Sequence, residues 1–299
     1  MSEVRGEVQG PHRVPVLAAV RPGDHPAEHD EGGLVSAVTF AARLDACVDA
    51  TGSLLCAGLD PDGFATAAEA ERRCLEIVDA TMEHVCAFKP NLAFFEQFGS
   101  AGYAILERLR RHVPDDRILI LDAKRGDMAN TAAAYARALF DVLGADCVTL
   151  NPLLGGDSLA PFLEREGRGI LLVARSSNPG AADLLDARLE TGQPVSLRIV
   201  ELGLGLDPGG AVGFVVGATA PDAVAVIRGA APSAPLLLPG VGAQGGSLED
   251  AVSAGLDSRG RGVIVSVSRG IAMAPEGAAR AAQMLRERIE GVRAAVSPA

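Results

Sequence analysis

The sequence has no long apolar segment and few cysteines, and both shortages limit what kind of protein it encodes. No run of about eighteen apolar residues occurs, so no transmembrane helix is predicted. A basic segment followed by an apolar run, the pattern of a secretory signal, is also missing from the N-terminus. The five cysteines are scattered and none forms a C-x-x-C pair, which argues against disulfides and a zinc site. We therefore expect reduced thiols in a cytoplasmic protein.

Basic residues are also scarce relative to acidic ones. The chain has 27 Lys and Arg against 38 Asp and Glu, and its net charge is −11. An acidic surface disfavours nucleic acid and anionic membranes as partners. The protein can still bind a small anionic ligand if a local cluster of cations and backbone N–H groups holds that ligand.

Lysine is the rarest of the charged residues. The chain has only Lys89 and Lys124, and each stands where an apolar run ends, in "CAFKPN" and "LDAKRGD". Arginine keeps its proton at any useful pH, whereas a lysine can be tuned to donate and accept one. One hypothesis is that these two positions need chemistry that arginine cannot perform. The alternative is that two lysines survive there by chance.

The chain divides into a short irregular segment and one long regular one. Residues 1–33 are rich in Pro, Gly, Glu and His with little periodicity, which predicts a disordered extension. His25 and His29 could chelate a metal on a helix, but Pro26 lies between them, so a solvated tail is the favoured interpretation. Residues 34–295 are predicted to form one catalytic domain.

Apolar, β-prone runs alternate with helical patterns from about residue 34. Eight such runs separated by helices predict an α/β fold with a parallel sheet. At this length a single closed (β/α)8 barrel is the leading architecture, and a doubly wound open sheet is the alternative. The runs are 53–60, 86–91, 118–124, 147–151, 169–176, 212–219, 235–241 and 262–269. The clearest helical patterns are 66–85, 103–112, 130–143 and 275–293.

Charged and polar residues collect where these runs end. In a (β/α)8 barrel the active site is built at the carboxyl ends of the strands, so these residues are predicted to share one site. They are Asp60, Lys89, Asp122, Lys124, Asp127, Ser176, Ser177, Gln244 and Arg269.

The third run ends in the spacing D-x-K-x-x-D. Asp122 and Lys124 are two residues apart, so on a strand they face the same way. Gly126 lets the chain turn before Asp127. The alternative is structural: Asp127 caps the next helix, Lys124 pairs with it, and Asp122 is solvated.

The last two runs end in a pattern typical of an anion site. The glycines of "PGVGAQGG" let the backbone approach a phosphate, and Arg269 can add bidentate hydrogen bonds. Phosphate sites after the seventh and eighth strands are common in this barrel class. The alternative is that these glycines only serve tight turns.

Taken together, the motifs resemble the orotidine 5′-phosphate decarboxylase family in its longer bacterial variant, over residues 38–292. They occur in the order "CAGLDPD", "FKPNLAFFEQFGSAG", "LDAKRGDMANTAAAYA", "TLNPLLGGDSL", "ARSSNPG", "VGFVVGAT", "PGVGAQGG" and "VSVSRGI". Leu153, where an aromatic residue is common, and Met128, in place of the usual Ile, depart from the family pattern.

The resemblance implies a carboxy-lyase that converts orotidine 5′-phosphate to UMP, the last step of de novo pyrimidine nucleotide synthesis, without metal or organic cofactor. It gives Lys124 the role of proton donor to C6 of the pyrimidine. Asp122 would lie against the substrate carboxylate. Lys89 and Asp127 would complete an alternating charge network.

The resemblance also implies the substrate contacts and the assembly. Asp60 and Lys89 would contact the ribose hydroxyls, and Ser177, or Ser176 beside it, would read the pyrimidine. The phosphate would be held by Gln244 and Arg269. Asp127 and Thr131 would reach the site of a neighbouring subunit, which implies a homodimer with shared active sites.

Two other functions remain open. Mg²⁺-dependent sugar-phosphate lyases share the D-x-K-x-x-D spacing, and Asp62 beside Asp60 could help to hold their metal. A catalytically silent barrel that binds UMP-like ligands is the other alternative, and the intact Lys124 argues against it.

Overall fold

The computed structural model describes residues 38–207, 209–242 and 244–296. The predicted disordered extension, 1–33, and the two histidines within it lie outside these ranges. Within them, eight strands pair in parallel with their neighbours in chain order, and the eighth pairs with the first to close the barrel. The (β/α)8 prediction is therefore confirmed, and the open-sheet alternative is wrong.

Each predicted apolar run coincides with one strand of the barrel, and only β3 extends past its run, by one residue. Most strand residues are buried because the barrel interior covers one face and the surrounding helices cover the other. The strands are β1 (Leu55–Leu59), β2 (Ala87–Pro90), β3 (Ile118–Arg125), β4 (Cys147–Leu150), β5 (Gly169–Arg175), β6 (Val212–Val216), β7 (Leu236–Pro239) and β8 (Val263–Val267).

Helices connect the strands. They are α1 (Phe40–Thr51), α2 (Ala67–Thr81), α3 (Ala93–Glu96), α4 (Ser100–His112), α5 (Ala129–Ala136), α6 (Ala160–Leu163), α7 (Ala181–Leu184), α8 (Val195–Leu206), α9 (Pro221–Ala230), α10 (Leu248–Gly255), α11 (Arg269–Ala272) and α12 (Ala278–Val296). The predicted helix at 130–143 is divided, because α5 passes into a π-helical turn, Arg137–Val142. Two 3-10 turns, Pro152–Leu154 and Gly156–Ser158, follow β4.

The N-terminal end of the barrel is closed by α1. Phe40 packs so closely on Gly169 that a Cβ there would lie 2.3 Å from the ring. Arg43 donates a hydrogen bond to Asp146, the residue before β4, and Arg110 and Arg168 bind the same carboxylate. A recess of about 630 Å³ opens here, but its buried carboxylate is already held by three arginines. This end of the barrel serves stability, and the catalytic groups must be sought at the other end.

All five cysteines are free thiols with buried side chains. In the part of the chain that the structure describes, no helix has the length and apolar character needed to cross a membrane.

Candidate active site

A cavity of about 360 Å³ opens at the carboxyl ends of the strands, within the size range of small-molecule sites. Residues from β2 and β3 and from the segments after β1, β5, β7 and β8 meet in its walls. Seven of the nine residues predicted for catalysis or substrate binding line it: Asp60, Lys89, Asp122, Lys124, Ser177, Gln244 and Arg269. Asp127 and Thr131 do not.

The cavity floor carries one carboxylate between two ammonium groups. Lys89 Nζ donates to Asp122 Oδ2 at 3.1 Å, and Lys124 Nζ donates to Asp122 Oδ1 at 2.6 Å. The side chain of Lys89 is 6% exposed, whereas that of Lys124 is 50% exposed. Lys89 therefore supports Asp122 from within the barrel, and Lys124 is the more accessible of the two ammonium groups.

The charges of this cluster depend on one another. Burial by itself would raise the pKa of Asp122, but Lys89, Lys124 and the hydroxyl of Thr149 outweigh burial and hold that pKa well below its usual range. For Lys89, burial would lower the pKa, but the carboxylates of Asp122 and Asp60 outweigh it and raise the pKa. Both groups are charged at neutral pH because each neutralises the other.

This geometry contradicts the structural alternative for D-x-K-x-x-D. Lys124 pairs with Asp122 and not with Asp127, and Asp122 is largely buried, with 11% of its side chain exposed. The Asp127 carboxylate accepts only the N–H of the adjacent Met128 at 2.8 Å among its described contacts. That alternative is therefore wrong.

Lys124 has an unusual backbone. Its φ is +45°, and no other non-glycine residue in the described ranges has a positive φ. For a long side chain this region is strained, and such strain persists only where the surrounding structure enforces it. The strain coincides with an irregularity in β3, whose pairing with β4 shifts register between Leu121 and Arg125.

Gly126 has a different role from the one predicted. Gly126 is not one of the described glycines with a positive φ, so the turn does not require the backbone conformation that only glycine adopts easily. A Cβ on Gly126 would instead lie 2.7 Å from the carbonyl oxygen of Asn151. The glycine allows the chain leaving β3 to approach the end of β4.

Glycines also shape the opposite wall of the cavity. Gly240 has φ +95°, and a Cβ there would lie 2.9 Å from Gln244 Oε1 and 3.0 Å from Ser177 Cβ. The missing side chain of Gly240 thus leaves room for two predicted ligand-binding side chains, Ser177 and Gln244, to approach each other beside the chain after β7. Arg269, the first residue of α11, completes this wall.

The structure distinguishes the two serines after β5. Ser177 lines the cavity, whereas the hydroxyl of Ser176 donates to Asn178 Oδ1 at 2.6 Å. Ser177 is therefore the serine placed to meet a ligand.

Asp127 and Thr131 lie just beyond the end of β3, where α5 begins, and both are half-buried. Met128 between them is 71% exposed, and Leu153 and Leu154 in the neighbouring β4 loop are 57% and 56% exposed. The loops after β3 and β4 thus carry three exposed large apolar side chains, which we call the apolar rim.

Asp60 and Asp62 both line the cavity, as the lyase alternative requires. Asp60 accepts the N–H of Asn91 at 3.3 Å. Across residues 38–296 as described, no group of three His, Cys, Asp or Glu side chains has the arrangement of a metal site.

Several polar residues at the site were not predicted from the sequence. Asn91 follows β2, and Ser266 and Ser268 lie at the end of β8. Thr149, near the end of β4, donates to the Asp122 carboxylate. Each is a small polar residue at the end of an apolar run, so the signal that found the charged residues was present for these too.

We expect Asp122→Asn to change how stability depends on pH. Asp122 has a depressed folded-state pKa, so its contribution is present above the ordinary Asp pKa of about 3.9 and is lost as pH falls below that value. At pH 7 the variant should be less stable by about 3 kcal/mol, because Lys89 is left buried without its partner. This gap, the difference in unfolding free energy between wild type and variant, should narrow as the pH falls from about 4 to about 3.

Urea unfolding at pH 7, 4 and 3 measures this gap. Asp222→Asn, at an exposed position of α9, is the matched control and should follow wild type at every pH. A gap for Asp122→Asn that stays constant down to pH 3 would show that the carboxylate is not stabilised by its neighbours.

Known proteins match both the sequence and the fold. Residues 53–284 match the family described as orotidine 5′-phosphate decarboxylase / HUMPS family. The chain belongs to this family. The orotidine 5′-phosphate decarboxylase of Roseiflexus castenholzii is 47% identical over 273 residues, which cover 87% of this chain and 100% of the relative. That of Thermomicrobium roseum is 43% identical over 87% of this chain and 98% of the relative.

Solved structures agree with the family assignment. The OMP decarboxylase of Leishmania donovani superposes with a TM-score of 0.80 at 39% identity, covering 85% of this chain and 99% of that one. The orotidine 5′-phosphate decarboxylase family is therefore supported by the fold as well as by the sequence, and the predicted family resemblance is confirmed.

Proposed function

We propose that this chain is an orotidine 5′-phosphate decarboxylase that releases CO₂ from its substrate to form UMP, the last step of de novo pyrimidine synthesis. Membership of the family and the names of relatives more than 40% identical support this reaction. The observation that carries the proposal is the Lys89–Asp122–Lys124 cluster facing a wall that bears Gln244 and Arg269. A carboxylated nucleotide needs charge chemistry at one end and a phosphate site at the other.

In the proposed mechanism, the bond between C6 and the carboxylate breaks and leaves its electron pair on C6. Lys124 then transfers a proton from Nζ to C6, which gives UMP and a neutral lysine that regains its proton from water. Lys124 suits this role because its side chain lines the cavity and is half exposed, whereas Lys89 is enclosed. The ammonium is in place before the carbanion forms, so little reorganisation is needed.

The other residues orient the substrate. Asp122 lies against the substrate carboxylate, where its charge favours the loss of CO₂ and keeps Lys124 directed to C6. Asp60 and Lys89 bind the ribose hydroxyls and Ser177 reads the pyrimidine. Gln244 and Arg269 hold the phosphate. The proposed step uses neither a metal nor an organic cofactor, and the proton from Lys124 takes up the electron pair that CO₂ leaves behind.

The test is turnover of orotidine 5′-phosphate, followed by the absorbance change as the orotate ring becomes uracil. We expect activity from the purified chain, unchanged in EDTA. The second candidate is the Mg²⁺-dependent sugar-phosphate lyase, which is favoured only by the position of Asp62 beside Asp60 at the cavity. Activity on a sugar phosphate that EDTA abolishes, with no turnover of orotidine 5′-phosphate, would favour the lyase.

We place this enzyme in the cytoplasm and propose that it acts as a homodimer with shared sites. The five buried free thiols suit a reducing compartment. Asp127 and Thr131 lie outside the cavity of their own chain, beside the apolar rim of Met128, Leu153 and Leu154. A second chain that covers this rim would bring Asp127 and Thr131 of each chain to the cavity of the other.

The shared site predicts that two inactive variants restore activity when they are mixed. In a mixed dimer of Lys124→Ala and Asp127→Ala, one site has both defects and the other has neither. Random exchange makes about half of the dimers mixed, so about a quarter of wild-type activity should return. The measurement is turnover after subunit exchange, with each variant alone as the control.

Subunit exchange should be followed independently, for example by native mass spectrometry of chains with distinct tags. If mixed dimers form and the mixture stays as inactive as its parents, Asp127 acts within its own chain and the shared-site model is wrong.

A further inference from the structure

Thr149 near the end of β4 connects the two central groups of the cavity. Its side chain is buried, with 1% of the residue exposed. The hydroxyl donates to Asp122 Oδ1 at 2.8 Å and accepts the backbone N–H of Lys124 at 3.0 Å. One oxygen atom therefore joins the carboxylate of Asp122 to the backbone of Lys124.

The irregularity of β3 explains why a side chain is needed there. Leu121 pairs with Val148 and Arg125 with Leu150, so four positions along β3 correspond to two along β4. The extra residues take Lys124 out of the regular ladder, and a buried N–H without an acceptor is costly. The hydroxyl of Thr149 supplies the acceptor that a β4 carbonyl would otherwise provide.

The regular pairing resumes directly after this point. The N–H of Asn151 donates to the Arg125 carbonyl at 2.7 Å. On the far side of Arg125, its guanidinium forms a salt bridge with Glu96 and lies over the ring of Tyr135, 5.2 Å from the ring centroid. The irregular segment is thus fixed at its C-terminal end by Arg125, while Thr149 holds its centre.

The positive φ of Lys124 gives this contact its importance. A lysine at φ +45° relaxes to an ordinary conformation unless neighbouring groups prevent it. The hydrogen bond from the Lys124 N–H to Thr149 is the described contact that opposes this relaxation at Lys124 itself. Rotation of this backbone would move the start of the side chain and withdraw Nζ from the cavity.

We propose that Thr149 is a positioning residue for the reaction: its hydroxyl holds the strained backbone of Lys124 and the carboxylate of Asp122 in register with each other. This inference rests on the proposed decarboxylation, for which Lys124 is the proton donor. Thr149 is not among the residues that line the cavity, so it acts through these two residues. Its effect should therefore appear in the chemical step and not in nucleotide binding.

The test replaces the hydroxyl with a methyl group. Thr149→Val keeps the shape of the side chain but removes both hydrogen bonds, so we expect kcat to fall by about 10- to 100-fold, since a misplacement of about 1 Å can cost this much. KM and the Kd for UMP should stay within about threefold of wild type. Thr149→Ser restores the hydroxyl and should recover most of kcat.

Thr81→Val is the matched control. Thr81 is also a fully buried threonine, but its hydroxyl donates to the Ile77 carbonyl within α2, away from the cavity. Thr81→Val should lower stability while leaving kcat within about twofold of wild type. If Thr149→Val does not fold, the pair Thr149→Ser and Thr149→Ala gives the same comparison, because these two variants differ by one oxygen atom.

A crystal structure of the variant provides a readout that does not depend on turnover. In Thr149→Val, or Thr149→Ala, we expect Lys124 to leave the positive-φ region and its Nζ to move away from Asp122 Oδ1. A kcat within threefold of wild type, an equal loss in the Ser variant, or an unchanged Lys124 backbone would each overturn the positioning role. Absence of turnover in the wild type would instead overturn the proposed function on which the inference rests.

Discussion

Replacing Lys124 by arginine should lower kcat by roughly three orders of magnitude, within the range typical of a positioned proton donor. Arginine keeps the positive charge beside Asp122, so the electrostatics of the cluster are largely preserved. It cannot release a proton at any useful pH, so protonation of C6 must come from a group outside the cluster. The Kd for UMP should change little, because the proposed phosphate grip is on the opposite wall.

Turnover is measured by the absorbance assay, and folding by circular dichroism and thermal unfolding. Arg72→Lys on the exposed face of α2 exchanges the same two side chains far from the cavity and should leave kcat unchanged. Near-normal turnover in Lys124→Arg would rule out proton donation by Lys124.

Replacing Arg269 by alanine should lower kcat/KM roughly 150-fold. This corresponds to a loss of about 3 kcal/mol of transition-state stabilisation. Binding energy from a remote phosphate can be used to orient the reacting carbon, so the loss should extend beyond ground-state affinity. Affinity for UMP should fall, whereas affinity for uridine should not, because only UMP carries the phosphate. With a substrate that lacks the phosphate, added phosphite dianion should partly restore turnover by the wild-type enzyme. The same addition should restore less turnover in Arg269→Ala.

Arg280→Ala on the exposed face of α12 is the control for loss of one positive charge, and it should keep the preference for UMP over uridine. If Arg269→Ala binds UMP as tightly as wild type, the phosphate is held by other groups.

The contrast between two buried carboxylates supports a chemical role for the lysines. Asp146, at the N-terminal end of the barrel, is held by three arginines. Asp122, at the opposite end, is held by the only two lysines of the chain. Every other basic side chain in this protein is arginine. The two lysines at the cavity therefore agree with the proposed proton transfer, which arginine cannot perform.

The sequence alone determined the class of the fold and the location of the site. Alternation of eight apolar runs with helical segments predicted a parallel sheet buried on both faces, with a closed barrel as the leading architecture. The pairing of β8 with β1 that closes the barrel is seen only in the structure. All parallel strands then end on the same side, so Asp60, Lys89, Asp122 and Arg269 had to gather there once the barrel closed. These inferences need only local periodicity and the polarity of the chain.

The tertiary structure decided which groups pair and how the backbone holds them. The partner of Lys124, the positive φ of that residue and the bridge through Thr149 all depend on the register between β3 and β4. The role of Gly126 depends on how closely the end of β4 approaches it. Which of Ser176 and Ser177 lines the cavity depends on the path of the chain after β5. A hydrogen bond between strands joins residues far apart in the chain, and a shift of one position redirects every side chain, so local sequence patterns do not determine these contacts.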